Sequence, residues 1–255
     1  VFDARLYPAG LSDHDLQTLR FFEISHVLAV ALPPPAPITA ASLTAQLTDL
    51  LEVQLPRLAK EGLQAWAALG VSARSLPRRG LPEVLAALPK LLRHPRARII
   101  GPLELWRGGE SEEEAFVEQL KLARRLRLPV WVAASNAPRD TTTRRALQLL
   151  MATHIEPAKV LFDGATARTV KLIRACGYTA GLTIHPDGLK AEEAVALVKK
   201  LGAEGLALST AAGEGATDLL GLARTAHLLQ KAGLSRAVVS RVTFDNAAAL
   251  LEAGI

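Results

Sequence analysis

The chain of 255 residues holds one cysteine, Cys176. An internal disulfide is therefore excluded, and so is a zinc site built on cysteines. A small secreted domain stapled by disulfides is excluded with them. Long apolar runs are also missing. The longest, 27–38, is too short to span a bilayer and carries Pro33, Pro34, Pro35 and Pro37. The opening VFDARLYPAG has neither a basic nor an apolar export region, so a cytoplasmic location is the expectation. No linker, charge block or low-complexity tract divides the chain, which reads as one domain over 1–255. Histidine is scarce as well. Of the six, His14 and His227 fall in helical runs and only His185 falls near the end of an expected strand.

What is present suits a folded chain with a large core: 49% hydrophobic and 22% charged residues. Short apolar runs alternate with longer amphipathic ones. The expected strands are 1–7, 26–32, 63–71, 97–105, 129–134, 159–163, 178–184 and 205–209. Several are nearly continuous in apolar residues, as parallel strands covered by helices are. Eight such β/α units in about 250 residues predict an α/β fold, a closed (β/α)8 TIM barrel.

Helix signals lie between the strands. Ser12 with Asp15, and Ser111 with Glu114, have capping-box spacing. Gly177 and Gly202 follow helical runs as C′ residues do. Pro56 predicts a kink or break in the run after Thr39. Gly221 and Gly233 bracket the last helical region, read as two helices that close the barrel. Cys176 and Met151 read as packing, and Trp131 as barrel filling.

In such a barrel the chemistry sits at the C-terminal strand ends. Alternation along strand one directs Phe2, Ala4 and Leu6 toward the helices and Asp3, Arg5 and Tyr7 inward. Three inward polar side chains need partners.

The segments FDARLYPAGLS, GVSARSLP, IIGPLEL, EQLKLARRLRLPVWV, VLFDG, GLTIHP, LALSTAAGEG and FDNAAALL, in that order, resemble the TatD-like metal-dependent hydrolases. These belong to the amidohydrolase superfamily, and the likeness is to its branch of predicted TIM-barrel metal hydrolases. The resemblance implies a divalent metal and places its ligands. The strand-one His-x-His falls on Arg5 and Tyr7, and the His-Pro pair after strand three on Ser72 and Ala73. The bridging Glu falls on Pro102, two further His on Ala133 and Gly164, and the last Asp, also the base, on Ala211. None of these positions keeps its ligand, so no metal, cofactor or catalytic set is expected.

The candidate barrel-mouth binding residues are Arg5, Tyr7, Arg74, Glu104 and His185. A buried Arg5 requires a carboxylate, expected to be Asp3 or Glu104. Tyr7 is expected to plug the pocket and Glu104 to stand alone. His185 reads as a loop residue or a base, and Asp163 and Asp187 as helix caps. The 213–215 Gly-Glu-Gly tract lacks phosphate-loop spacing. Segment 57–107 has ten Lys or Arg against three Glu, yet few aromatics interleave them, so a nucleic-acid partner is not expected. Two function classes follow. One is a catalytically degenerate hydrolase relative (a pseudoenzyme) that binds, scaffolds or regulates through a protein partner or a small anionic ligand. The other is a hydrolase with a rebuilt, metal-free site for an anionic substrate such as a phosphoester.

Overall fold

The computed structural model describes residues 1–134, 139–215 and 217–252. Eight parallel strands follow one another in chain order: β1 (Phe2–Leu6), β2 (His26–Val30), β3 (Gln64–Leu69), β4 (Ala97–Glu104), β5 (Val130–Ala133), β6 (Val160–Asp163), β7 (Thr179–Thr183) and β8 (Leu206–Ser209). The ring closes beyond β8. The Tyr7 amide donates to the Ala212 carbonyl at 2.8 Å, and the Ala211 amide donates to the Arg5 carbonyl at 3.1 Å. This is the α/β TIM barrel expected, and each strand lies within its expected segment.

Alternation along the strands builds two apolar layers. Val27, Ala29, Leu69, Val132 and Phe162 face the helices. Leu28, Val30, Ala68, Trp131 and Leu161 fill the interior. β1 departs from plain alternation. Phe2 and Ala4 belong to the interior layer and Leu6 to the outer one. The register against β2 shifts between Asp3 and Leu6, and this bulge lets Ala4 and Arg5 both turn inward. The expected outward placement of Phe2 and Ala4 is thus corrected.

The helices are α1 (Asp13–Phe21), α2 (Ala40–Asp49), α3 (Leu55–Lys60), α4 (Leu81–Leu91), α5 (Glu110–Leu126), α6 (Arg139–Ala152), α7 (Val170–Ala175), α8 (Ala191–Leu201), α9 (Gly221–Lys231), α10 (Arg236–Ser240) and α11 (Asn246–Glu252). Ser12 and Asp15 cap α1 reciprocally, as their spacing predicts. Pro56 is absorbed by a π turn, Leu50–Gln54, that joins α2 to α3. α5 begins at Glu110, before Ser111, with Gly109 as its N-cap. The carboxylate that organises this end is Glu112, which accepts from the amides of Trp106, Arg107 and Gly108 at 2.8–3.0 Å. Met151 is half exposed on α6 and does not enter the core.

The N-terminal end of the barrel is floored by aromatic rings. His26 stacks on Trp66 at 5.8 Å and meets Phe244 edge-on at 4.8 Å. Ala247, Leu250 and Leu251 of α11 join Phe2 beneath the strands. Polar groups collect at the other end. Among the described residues no helix is long and apolar enough to cross a membrane.

Candidate functional site

At the C-terminal mouth, the bulge in β1 aims the Arg5 guanidinium across the barrel. Arg5 Nη2 donates to Glu214 Oε2 at 2.7 Å, and Nη1 faces Asp163 Oδ2 at 3.5 Å. Nε and Nη2 also donate to the Tyr7 hydroxyl, at 3.2 and 2.9 Å. The guanidinium carbon lies 5.5 Å from the Trp131 ring centre. Arg74, in the 3-10 turn after β3 (Ala73–Ser75), reaches the same cluster. It donates to Glu214 Oε1 at 2.5 Å and to Glu104 Oε2 at 3.3 Å, and lies 5.7 Å from the Trp106 ring. Two arginines and three carboxylates thus interlock across the mouth.

Asp163 ends β6 and is fully buried. Thr183 and Ser209, ending the next two strands, each donate a hydroxyl to its Oδ1 at 3.0 Å. Gly181 makes room for it: a Cβ there would lie 2.3 Å from Asp163 Oδ1. Asp163 is therefore part of the mouth network and not a helix cap.

Asp3 takes another course. Its Oδ1 accepts the amides of Arg5 and Thr210 at 3.1 and 3.0 Å, and its Oδ2 accepts the Thr210 hydroxyl. Asp3 fastens the β1–β8 seam and does not pair with the Arg5 guanidinium. Arg5 has its predicted carboxylates, but they are Asp163 and Glu214. Glu104 is not alone either, because Arg74 pairs with it.

The charge states follow from burial and contact. Burial opposes the charge of Arg5, yet Tyr7, Asp163 and Glu214 outweigh it and push its pKa up. Burial works against ionising Glu214 too, but Arg5 and Arg74 hold its carboxyl below the ordinary range. At Glu104 burial prevails over Arg74 and Arg5, so its pKa is raised. Burial also raises the Tyr7 phenol, and it raises Asp3 to about 7 against the donors on that carboxylate.

Arg5, Tyr7, Arg74 and Glu104 therefore lie together at the mouth. The described hydrogen bonds of His185 stay in its own loop, where Nδ1 accepts the Asp187 amide at 3.1 Å and the backbone bonds Leu189 and Gly188. Sequence reasoning missed Asp163 and Glu214. Asp163 shares the inward parity of Leu161, which was a usable signal. Glu214 sits in a turn, where no parity exists. Beside Tyr7, Pro33, Arg74 and Pro102 the mouth leaves a cavity of about 10 Å³, room for about one water.

No family model matches the chain. An uncharacterized metal-dependent hydrolase of Methanocaldococcus jannaschii is 25% identical over 249 residues, covering 97% of this chain and 98% of that protein. A solved TatD-like protein of Archaeoglobus fulgidus superposes with a TM-score of 0.84 at 20% identity, covering 99% of this chain and all of that one. The chain shares the fold of that TatD-like protein. The phosphotriesterase homology protein of Escherichia coli, solved with phosphate in its active site, has the same fold at a TM-score of 0.72 and 14% identity, covering 98% and 97%.

The residues of this barrel do not fit a divalent metal at the mouth. A hydrolytic ion needs several His or carboxylate donors converging at about 2.0–2.2 Å. Here a guanidinium stands among the carboxylates, and Asp163 and Glu214 are both turned toward it. Among the described residues no three His, Cys, Asp or Glu side chains converge as a metal would require.

Proposed function

We propose that this barrel is a non-hydrolytic relative of the metal-dependent hydrolases, whose work is to bind an anionic small molecule or an acidic protein surface. One observation carries the reading: Arg5 lies at the centre of the mouth, held by Asp163 and Glu214. A fixed cation repels a divalent ion at close range. The positions where the resemblance places ligands also support the reading, since Ala133, Gly164 and Ala211 have no donor side chain. Without a metal, water near neutral pH is a poor nucleophile, its pKa being about 15.7.

Metal retention and turnover test this together. After soaking in zinc or manganese and desalting, the protein should hold far less than one ion per chain. Phosphodiester, phosphomonoester, ester and amide substrates should turn over no faster with zinc, magnesium or manganese than without. Stoichiometric retention of an ion would overturn the reading.

A second reading draws on Glu104. Burial raises its pKa beside Arg74, which suits a carboxyl that passes a proton to an anionic substrate without a metal. Turnover lost in Arg5→Ala and Glu104→Ala would favour this rebuilt enzyme.

A further inference from the structure

Glu214 occupies the position a ligand would take. One of its oxygens is held by Arg74 at 2.5 Å and the other by Arg5 at 2.7 Å. The Tyr7 hydroxyl, which accepts from Arg5, lies beside the same carboxylate and helps to keep it ionised. Two guanidinium groups, each taking one oxygen, form a charge-assisted cradle matched to a carboxylate. Below it the indole N–H of Trp131, buried and beside Arg5, has no partner among the described residues.

Glu214 stands with Arg74 at the solvent side of this cradle. Its side chain is 24% exposed, against 12% for that of Arg5, so Glu214 lies on the solvent side. Its backbone is anchored on one flank. A Cβ on Gly213 would lie 2.0 Å from the Tyr7 carbonyl oxygen, and one on Gly10 would lie 1.9 Å from that of Gly213. The turn is wedged against the start of the chain, so opening the cradle calls for movement of the Glu214 side chain and not of the backbone. A rotamer change there needs no loop opening and carries a single negative charge out of the cradle.

We propose that Arg5, Arg74 and Tyr7 form a binding site for the carboxylate of a ligand, and that Glu214 is a built-in competitor that closes it. The proposal rests on the binding reading above and names its ligand chemistry. A monocarboxylate exchanges like for like with Glu214, leaving the charge of the network unchanged.

Acetate is the probe, with inorganic phosphate as the comparison and titration calorimetry as the readout. Glu214→Ala should bind acetate at least tenfold more tightly than the unaltered protein. Arg74→Ala added to Glu214→Ala should abolish that gain. If Glu214→Ala does not fold, Glu214→Gln is measured in the same way and should show a smaller gain in the same direction. Equal affinity with and without Glu214, a gain that survives Arg74→Ala, or a gain for phosphate alone would each overturn the proposal. Turnover in the substrate screen would refute the non-hydrolytic reading without touching these affinities, so the two failures are distinguishable.

Discussion

Replacing Arg5 with methionine removes the charge at the centre of the mouth while keeping a long chain against Tyr7 and Trp131. The variant loses the 2.7 Å pair with Glu214, the 3.5 Å pair with Asp163 and both donations to the Tyr7 hydroxyl. Breaking a buried pair by removing one partner costs about 3–5 kcal/mol, because the other charge stays buried. Two features place Arg5 at the lower end. Asp163 keeps the Thr183 and Ser209 hydroxyls at 3.0 Å, and Glu214 keeps Arg74. The expected loss is therefore about 3 kcal/mol. For a chain of this size that lowers Tm by roughly 6–12 °C. Urea denaturation and thermal melting at neutral pH measure it. Arg168→Ala is the control, since among the described residues its side chain loses the exposed pair with Asp140, and it should leave Tm unchanged. In the double variant Arg5→Met/Glu214→Gln the two losses should fall short of additive by about 1 kcal/mol or more. A loss indistinguishable from the control, or strict additivity, would refute the idea that Arg5 holds the mouth together.

Asp3 predicts a pH dependence. Burial raises its pKa to about 7 in the folded chain, with the charge of Asp163 adding to the effect, whereas the unfolded value is 3.8. The folded state then binds the extra proton between these values, so the Asp3 contribution is full below about pH 4 and is lost as pH rises through about 7. Asp3→Asn keeps an acceptor for the Arg5 and Thr210 amides and cannot titrate. Urea midpoints from pH 4.5 to 8 should fall less steeply in the variant, and parallel curves would exclude the assignment. Gln119→Leu tests the anchoring of α5 on the barrel. The buried Gln119 amide accepts the Val71 N–H at 2.7 Å and donates to the Val71 carbonyl at 3.0 Å. Leaving both unsatisfied should cost roughly 2–4 kcal/mol by urea denaturation, and a loss under about 1 kcal/mol would show that water replaces the bonds.

Eight short apolar runs separated by amphipathic stretches were enough to read the barrel, because strand and helix periods are local and a parallel sheet buries both faces. The cap at Ser12, the interruption of regular α-helix near Pro56 and the closing glycines at 177 and 202 were legible for the same reason. Alternation placed Arg5 and Tyr7 at the mouth but misplaced Phe2 and Ala4, because a bulge interrupts the period and no residue in β1 announces it. The need of Arg5 for a carboxylate also follows from sequence, since a buried guanidinium is expensive to leave unpaired. Which carboxylate meets it does not follow. Asp163 and Glu214 lie 158 and 209 residues further along, and Asp3, only two away, is drawn instead to the Thr210 side of the seam. Ion pairing depends on distances across the closed barrel, and those are set by strand stagger, by the room Gly181 leaves and by the wedge at Gly213. The sequence determined the scaffold and the chemical demand at its mouth; the tertiary structure decided which side chains meet it.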